Sequence, residues 1–165
     1  MSYNSELFWN DLVTGVFASM IKESSKGEEV ANSGEIYNVM KPIYEEEKDV
    51  EKLFCIFLDS KNKILAIECM FKGSVGGSAI YPRELVKKVI KLMAVSVIIV
   101  HNHPSGVTTP SPEDEAITLK IFMALSNIDV ILHDHVIIGD NYYSMAEAGT
   151  IKALKEKSLR FYKSM

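Results

Sequence analysis

The sequence predicts an α/β fold, a single domain in which a mixed β-sheet is flanked by helices. Three observations carry that expectation. Segments with apolar residues at helical spacing alternate with short, β-branched apolar runs along the chain. Two of those runs are joined by a short polar turn, which makes an antiparallel hairpin and so a mixed sheet. The 165 residues, 47% of them apolar, suffice to bury one core without disulfides or a structural metal.

Leu7, Phe8, Leu12, Val13, Val16, Phe17, Met20 and Ile21 recur at helical spacing, so the chain opens with an amphipathic helix. Its wide apolar face packs on the domain's own core or forms a homo-oligomer surface; the pattern leaves both open. Glu23 to Glu29 is polar and reads as a loop. Ser33 is the expected N-cap of a second helix through Ile36, Met40 and Ile43. Glu45, Glu46 and Glu47 at its far end oppose the helix dipole, so the helix is expected to stop near Pro42. Leu53–Leu58 and Ile64–Met70 are strand-like and flank the turn-rich Asp59–Lys63.

Gly73, Gly76 and Gly77 form a connection to a helix starting at Pro82, with Leu85, Val86, Val89, Ile90 and Met93 expected on one face. Val95 to Val100 is a buried strand. A helix then runs from Pro112 with Ile117, Ile121 and Leu125 aligned. A further strand covers Val130–Leu132 and continues into Val136–Ile138, and Gly139-Asp140-Asn141 turns the chain into Tyr142-Tyr143. A C-terminal helix follows. The expected division is an N-terminal helix and loop over 1–32, a core domain over 33–149 and a C-terminal helix over 150–165.

Composition narrows the function classes. A formal charge of −4 argues against sequence-independent nucleic-acid binding, which needs clustered Lys and Arg. The one basic cluster, Lys152, Lys155, Lys157, Arg160 and Lys163, reads as the solvated face of the last helix. Cys55 and Cys69 lie inside apolar runs and read as small core residues of a reducing compartment. No apolar stretch is long enough to span a bilayer, and the N-terminus has no basic leader. A cytoplasmic protein is the expectation.

Chemistry concentrates in His101-Asn102-His103-Pro104-Ser105-Gly106, followed by Ser111-Pro112-Glu113-Asp114. Histidines two residues apart at the end of a strand point the same way. Asp114 follows on the first turn of a helix. Two neutral imidazoles and a carboxylate suit zinc and leave a fourth tetrahedral position for water, the pattern of a catalytic ion. Asp114 has a second reading as the N3 half of a capping box with Ser111, with Pro112 at N1. Cap and ligand are equally open at this level, and the two roles are compatible. His133-Asp134-His135 has the same spacing but sits within one strand, with Asp134 on the opposite face and no turn after it. These histidines read as strand residues, one of them lying near the first pair in support.

His101-x-His103-Pro104, with Ser111-x-x-Asp114 beyond it, resembles the JAMM (MPN-plus) metalloprotease signature. Tyr81-Pro82-Arg83-Glu84-Leu85-Val86, Thr109-Pro110-Ser111, Asp134-His135-Val136-Ile137-Ile138-Gly139 and Tyr143-Ser144 resemble its RadC-type branch, named for DNA repair, over Ser33 to Gly149. Val107-Thr108 and Pro112 depart from the pattern, and the helix-hairpin-helix DNA-binding segment of longer RadC-type proteins is replaced by the N-terminal helix. The resemblance implies a JAMM/MPN-like (cytidine-deaminase-like) fold, with zinc on His101, His103 and Asp114. It also implies a general-base glutamate just ahead of the strand ending in Leu58-Asp59, which selects Glu51. Glu51 lies in an acidic stretch that also reads as a charged linker, and Glu68 is the rival. The implied reaction is hydrolysis of an amide or isopeptide bond in a peptide or protein substrate, with Ser111 assisting at the oxyanion. A DNA-repair module and a metal-binding scaffold without turnover are the alternative classes.

Overall fold

Along β1 (Lys52–Leu58) the residues alternate between two buried faces. Leu53, Cys55 and Phe57 enter one core, and Phe54, Ile56 and Leu58 enter another. A strand buried on both sides reads as an unbroken apolar run, which is what this segment is. The protein, as a computed structural model, is described over residues 15–73 and 81–163. β1 pairs antiparallel with β2 (Ile64–Lys72), and Asp59 Oδ1 accepts from the Lys61 and Lys63 N–H groups to close the hairpin. β3 (Ser96–Asn102), β4 (Ile131–Ile138) and β5 (Tyr142–Ser144) complete a mixed five-stranded sheet in the order β2-β1-β3-β4-β5. Its single parallel pair, β3 and β4, is bridged by a helix, α4 below.

The helices form a layer on each face. α1 (Val16–Ser24) and α2 (Ser33–Glu45) cover the side of Phe54 and Ile98, burying Ala18, Ile36, Met40 and Ile43. α3 (Pro82–Leu92), α4 (Pro112–Ser126) and α5 (Thr150–Lys163) cover the side of Cys55 and Ile99 through Leu85, Val89, Ile121, Leu125 and Ile151. The α/β class and mixed sheet are as expected. Of the expected opening helix, Leu7, Phe8, Leu12 and Val13 lie outside the described residues, as do Gly76 and Gly77. Among the described residues no helix is long and apolar enough to cross a membrane.

Several local expectations are corrected. Asn32, not Ser33, caps α2: its side chain accepts from the Glu35 N–H, and Ser33 becomes the first helical residue. α2 passes through Pro42 to Glu45, because the last turn is anchored by buried Ile43 and by the Tyr44 hydroxyl, which donates to the Val100 carbonyl at 2.7 Å. The acids beyond it find partners elsewhere. Glu46 accepts from the Ala18 N–H in the first turn of α1, where the dipole favours an anion, and Glu47 pairs with Lys52 and Lys72. On α3 only Leu85 and Val89 are buried. Ile90 and Met93 are 66% and 83% exposed, since Ile90 faces away from the sheet and Met93 is already the left-handed C-cap. Cys69, towards the end of edge strand β2, is exposed rather than core; Cys55 is buried.

Candidate metal centre

His101 leaves the sheet near the C-terminal end of β3, the end at which open α/β sheets place ligands. It is fully buried on the face covered by α4. His103 lies just past the strand, held in the ladder by its N–H donating to the Ile138 carbonyl at 2.8 Å. Asp114 sits in the first turn of α4 and is 1% exposed. Its carboxylate completes the helix cap and also lies beside both histidines. Asp114 Oδ2 accepts from the Ser111 N–H at 2.7 Å while Ser111 Oγ accepts from the Asp114 N–H at 3.1 Å, a complete capping box. The same carboxylate lies 3.1 Å from His101 Nε2 and 3.3 Å from His103 Nε2.

Glu51 comes from the lead-in to β1. Antiparallel pairing sets Leu53 opposite His101, so Glu51, two residues earlier, arrives on the same face beside the histidines. Glu51, His101 and His103 each offer one ligand atom within 4.8 Å of the others. Glu68 is elsewhere, paired with Lys88 Nζ at 2.9 Å under α3. Asn102, between the two histidines, faces the other way. Its Oδ1 accepts from the Lys52 N–H at 2.7 Å and its Nδ2 donates to the Val50 carbonyl at 3.0 Å, clamping the backbone on either side of Glu51.

The donor set fits a cation. The Val107 carbonyl, 2.6 Å from His103 Nδ1, is an acceptor only, so that nitrogen carries the hydrogen and a neutral His103 presents a bare Nε2. His101 Nε2 lies 2.8 Å away. Lone-pair atoms this close repel unless a proton or a cation sits among them. An ion holding tetrahedral ligands at about 2.0–2.2 Å would space them at roughly 3.3–3.6 Å. The Asp114 contacts at 3.1 and 3.3 Å lie near that spacing, and the two ring nitrogens, at 2.8 Å, would move apart to admit it. The electrostatics agree. The hydrogen bond with Asp114 raises the His103 pKa against the opposing effect of burial, with help from Val107 and Glu51. Burial pushes the Asp114 carboxyl up, but its contacts with His101 and His103 outweigh this and hold the group well below the carboxylate range.

The loop around the site is pinned. Gly106 has φ +83, a left-handed conformation that favours glycine, and its carbonyl accepts from the Asp140 N–H at 2.9 Å. A Cβ on Gly139 would lie 2.2 Å from that carbonyl oxygen. Beside His103 a cavity of about 250 Å³ opens between Lys41, Tyr44, Pro104 and Asp140.

His133 and His135 separate. A bulge lets Leu132 pair with Val97 and Asp134 with Ile98, skipping His133. His133 is exposed, and His135 is fully buried with Nε2 2.7 Å from His101 Nδ1. Burial holds the His135 pKa well below its ordinary value, and neighbouring His101 adds to this. Thr118 Oγ1 lies 2.5 Å from His135 Nδ1. Sequence reasoning missed the parts played by Asn102, Val107, Thr118 and Gly139. Thr118 alone left a signal, a polar residue one turn after Asp114 on the inward face of α4.

The chain is similar to several curated proteins. It is 42% identical over 101 residues to a UPF0758 protein of Thioalkalivibrio sulfidiphilus, covering 61% of this chain and 45% of that one. It is 47% identical over 96 residues to a UPF0758 protein of Stutzerimonas stutzeri, covering 58% and 43%. With a UPF0758 protein of Pseudomonas syringae pv. tomato it shares 40% over 119 residues, covering 72% and 53%. The chain thus spans about half the length of the curated relatives it matches. The family model described as "RadC-like JAB domain" matches residues 30–150, which contain every residue of the site, and the chain belongs to that family.

Proposed function

We propose that this chain is a zinc-dependent hydrolase of amide or isopeptide bonds, acting on a peptide or protein substrate. The observation that carries the reading is the convergence of Glu51 on His101 and His103, with the Asp114 carboxylate alongside both rings. His101, His103 and Asp114 would hold the ion, and Glu51 is spared for proton transfer. Zinc, when bound, supplies a Lewis acid and lowers the pKa of water toward ~7. Glu51 takes a proton from the attacking water and passes it to the nitrogen as the C–N bond breaks. Ser111 uses its oxygen as an acceptor in the helix cap, so its O–H is left to donate to the developing oxyanion. The cavity beside His103 is the seat for part of the substrate. The net charge of −4 weighs against DNA as that substrate. Cys69, an exposed free thiol, fits a reducing compartment, which leads us to place the activity in the cytoplasm.

The test is the Glu51→Gln variant. Zinc-loaded wild type should cleave members of a fluorogenic library of peptide and isopeptide amides. Glu51→Gln should retain its zinc yet cleave them ~10²–10⁴ more slowly. Equal turnover by Glu51→Gln, or no cleavage by the zinc-loaded wild type, would overturn the proposal.

A further inference from the structure

Behind the metal cluster a buried chain of hydrogen bonds runs from α4 to the His101 ring. Thr118 Oγ1 lies 2.5 Å from the carbonyl oxygen of Asp114, four residues earlier on the helix, and 2.5 Å from His135 Nδ1. His135 Nε2 lies 2.7 Å from His101 Nδ1. Thr118, His135 and His101 are each 0% exposed, so no water competes for these contacts.

Each contact needs one hydrogen, and a hydroxyl or a neutral imidazole has only one to give. The Asp114 carbonyl is an acceptor and nothing else, so the Thr118 hydrogen goes to it. Met145 Sδ, 3.5 Å from the same hydroxyl, is too weak an acceptor to compete. Thr118 Oγ1 must then accept, and the hydrogen it accepts is on His135 Nδ1. The His135 ring, fully buried between Thr118 and His101, is neutral and has a bare Nε2. That nitrogen accepts from His101 Nδ1–H. His101 Nε2 is left as a lone pair facing Asp114 Oδ1 and His103 Nε2. In the opposite polarity the Thr118 oxygen would face the Asp114 carbonyl at 2.5 Å with no hydrogen between them.

We infer that Thr118 is a positioning residue that acts through His135 to fix His101 as its Nδ1–H tautomer, so that Nε2 is presented as a ready-made cation ligand. The inference rests on the proposed metal reading for the use made of Nε2 and for the cation that relieves the lone pairs crowded there. The polarity from Thr118 to His101 Nδ1 follows from the count of hydrogens alone.

Long-range ¹H–¹⁵N correlation spectra of the ¹⁵N-labelled, chelator-treated full chain read the tautomers directly. Wild type should show Nδ1–H on both His101 and His135. Thr118→Val removes the oxygen with little change of shape. It should admit the Nε2–H form of His101 and weaken cobalt(II) binding about tenfold, the lower end of what supporting residues of metal ligands supply. Thr118→Ser should restore both. Nε2–H on either wild-type ring, or a Thr118→Val protein whose His101 tautomer is unchanged, overturns the inference; the wild-type spectrum decides even if the valine variant does not fold. A wild type that binds no cobalt yet shows the stated tautomers would count against the hydrolase reading and in favour of this one.

Discussion

His101-Asn102-His103 and His133-Asp134-His135 share one spacing and lie on neighbouring parallel strands, yet their environments have little in common. The first pair spans the end of β3, so its second histidine leaves the sheet and enters a loop pinned by Gly106 and Gly139. The polar residue between them, Asn102, holds the backbone around Glu51. The second pair sits inside β4, where a bulge at His133 breaks the alternation. His135 then shares a face with His101, and Asp134 points to the α2 side. Asp134 is a structural node. It accepts from the Ser33 and Ser144 hydroxyls and from the His135 and Ala146 N–H groups, joining α2, β4, β5 and the segment beyond. Histidine spacing alone therefore does not define a site. The position of the pair relative to the strand end does, together with what occupies the residue between.

The largest effect that sharpens this contrast is on metal content. On the proposed reading, His101→Ala with His103→Ala should abolish stoichiometric zinc in elemental analysis, while His133→Ala should retain it. Zinc lost from the His133 variant and kept by the double variant would transfer the site to the second pair.

Stability should show the reverse ranking. Asp134→Ala leaves two buried hydroxyls and two N–H groups without their charged acceptor and should cost about 3 kcal/mol or more, against less than about 0.5 kcal/mol for His133→Ala next to it. Urea melts measure both. A loss below about 1 kcal/mol for Asp134→Ala would break the assignment of that carboxylate as a node.

The smallest effect tests the loop. Gly139→Ala pushes a Cβ into the Gly106 carbonyl and should shift the segment carrying His103 while leaving the sheet in place. Zinc affinity should fall by about tenfold with strand signals in the amide spectrum unchanged. Unaltered affinity would mean that the Gly106–Gly139 contact does not position His103.

Much of this molecule was legible locally. Period-2 and helical apolar spacing specified the alternation of strands and helices, and turn residues specified the β1–β2 hairpin. The helix start at Ser111-Pro112 and the grouping of His101, His103 and Asp114 were readable because all lie within one strand, one loop and one helical turn. Local pattern failed where a distant partner decided the outcome. Ser33 was free to leave the cap because Asn32 took it and Asp134 offered a better acceptor, and α2 ran past Pro42 because Tyr44 reached Val100. Only the tertiary structure brought Glu51 to the histidines and left Glu68 paired with Lys88, since that choice depends on the antiparallel register of β1 against β3. Only the bulge in β4 turned His135 toward His101 and within reach of Thr118. Registers and bulges arise from the packing of whole strands against both helix layers. A short stretch of sequence can specify which face its own side chains take, but not which residues of a distant segment they will meet.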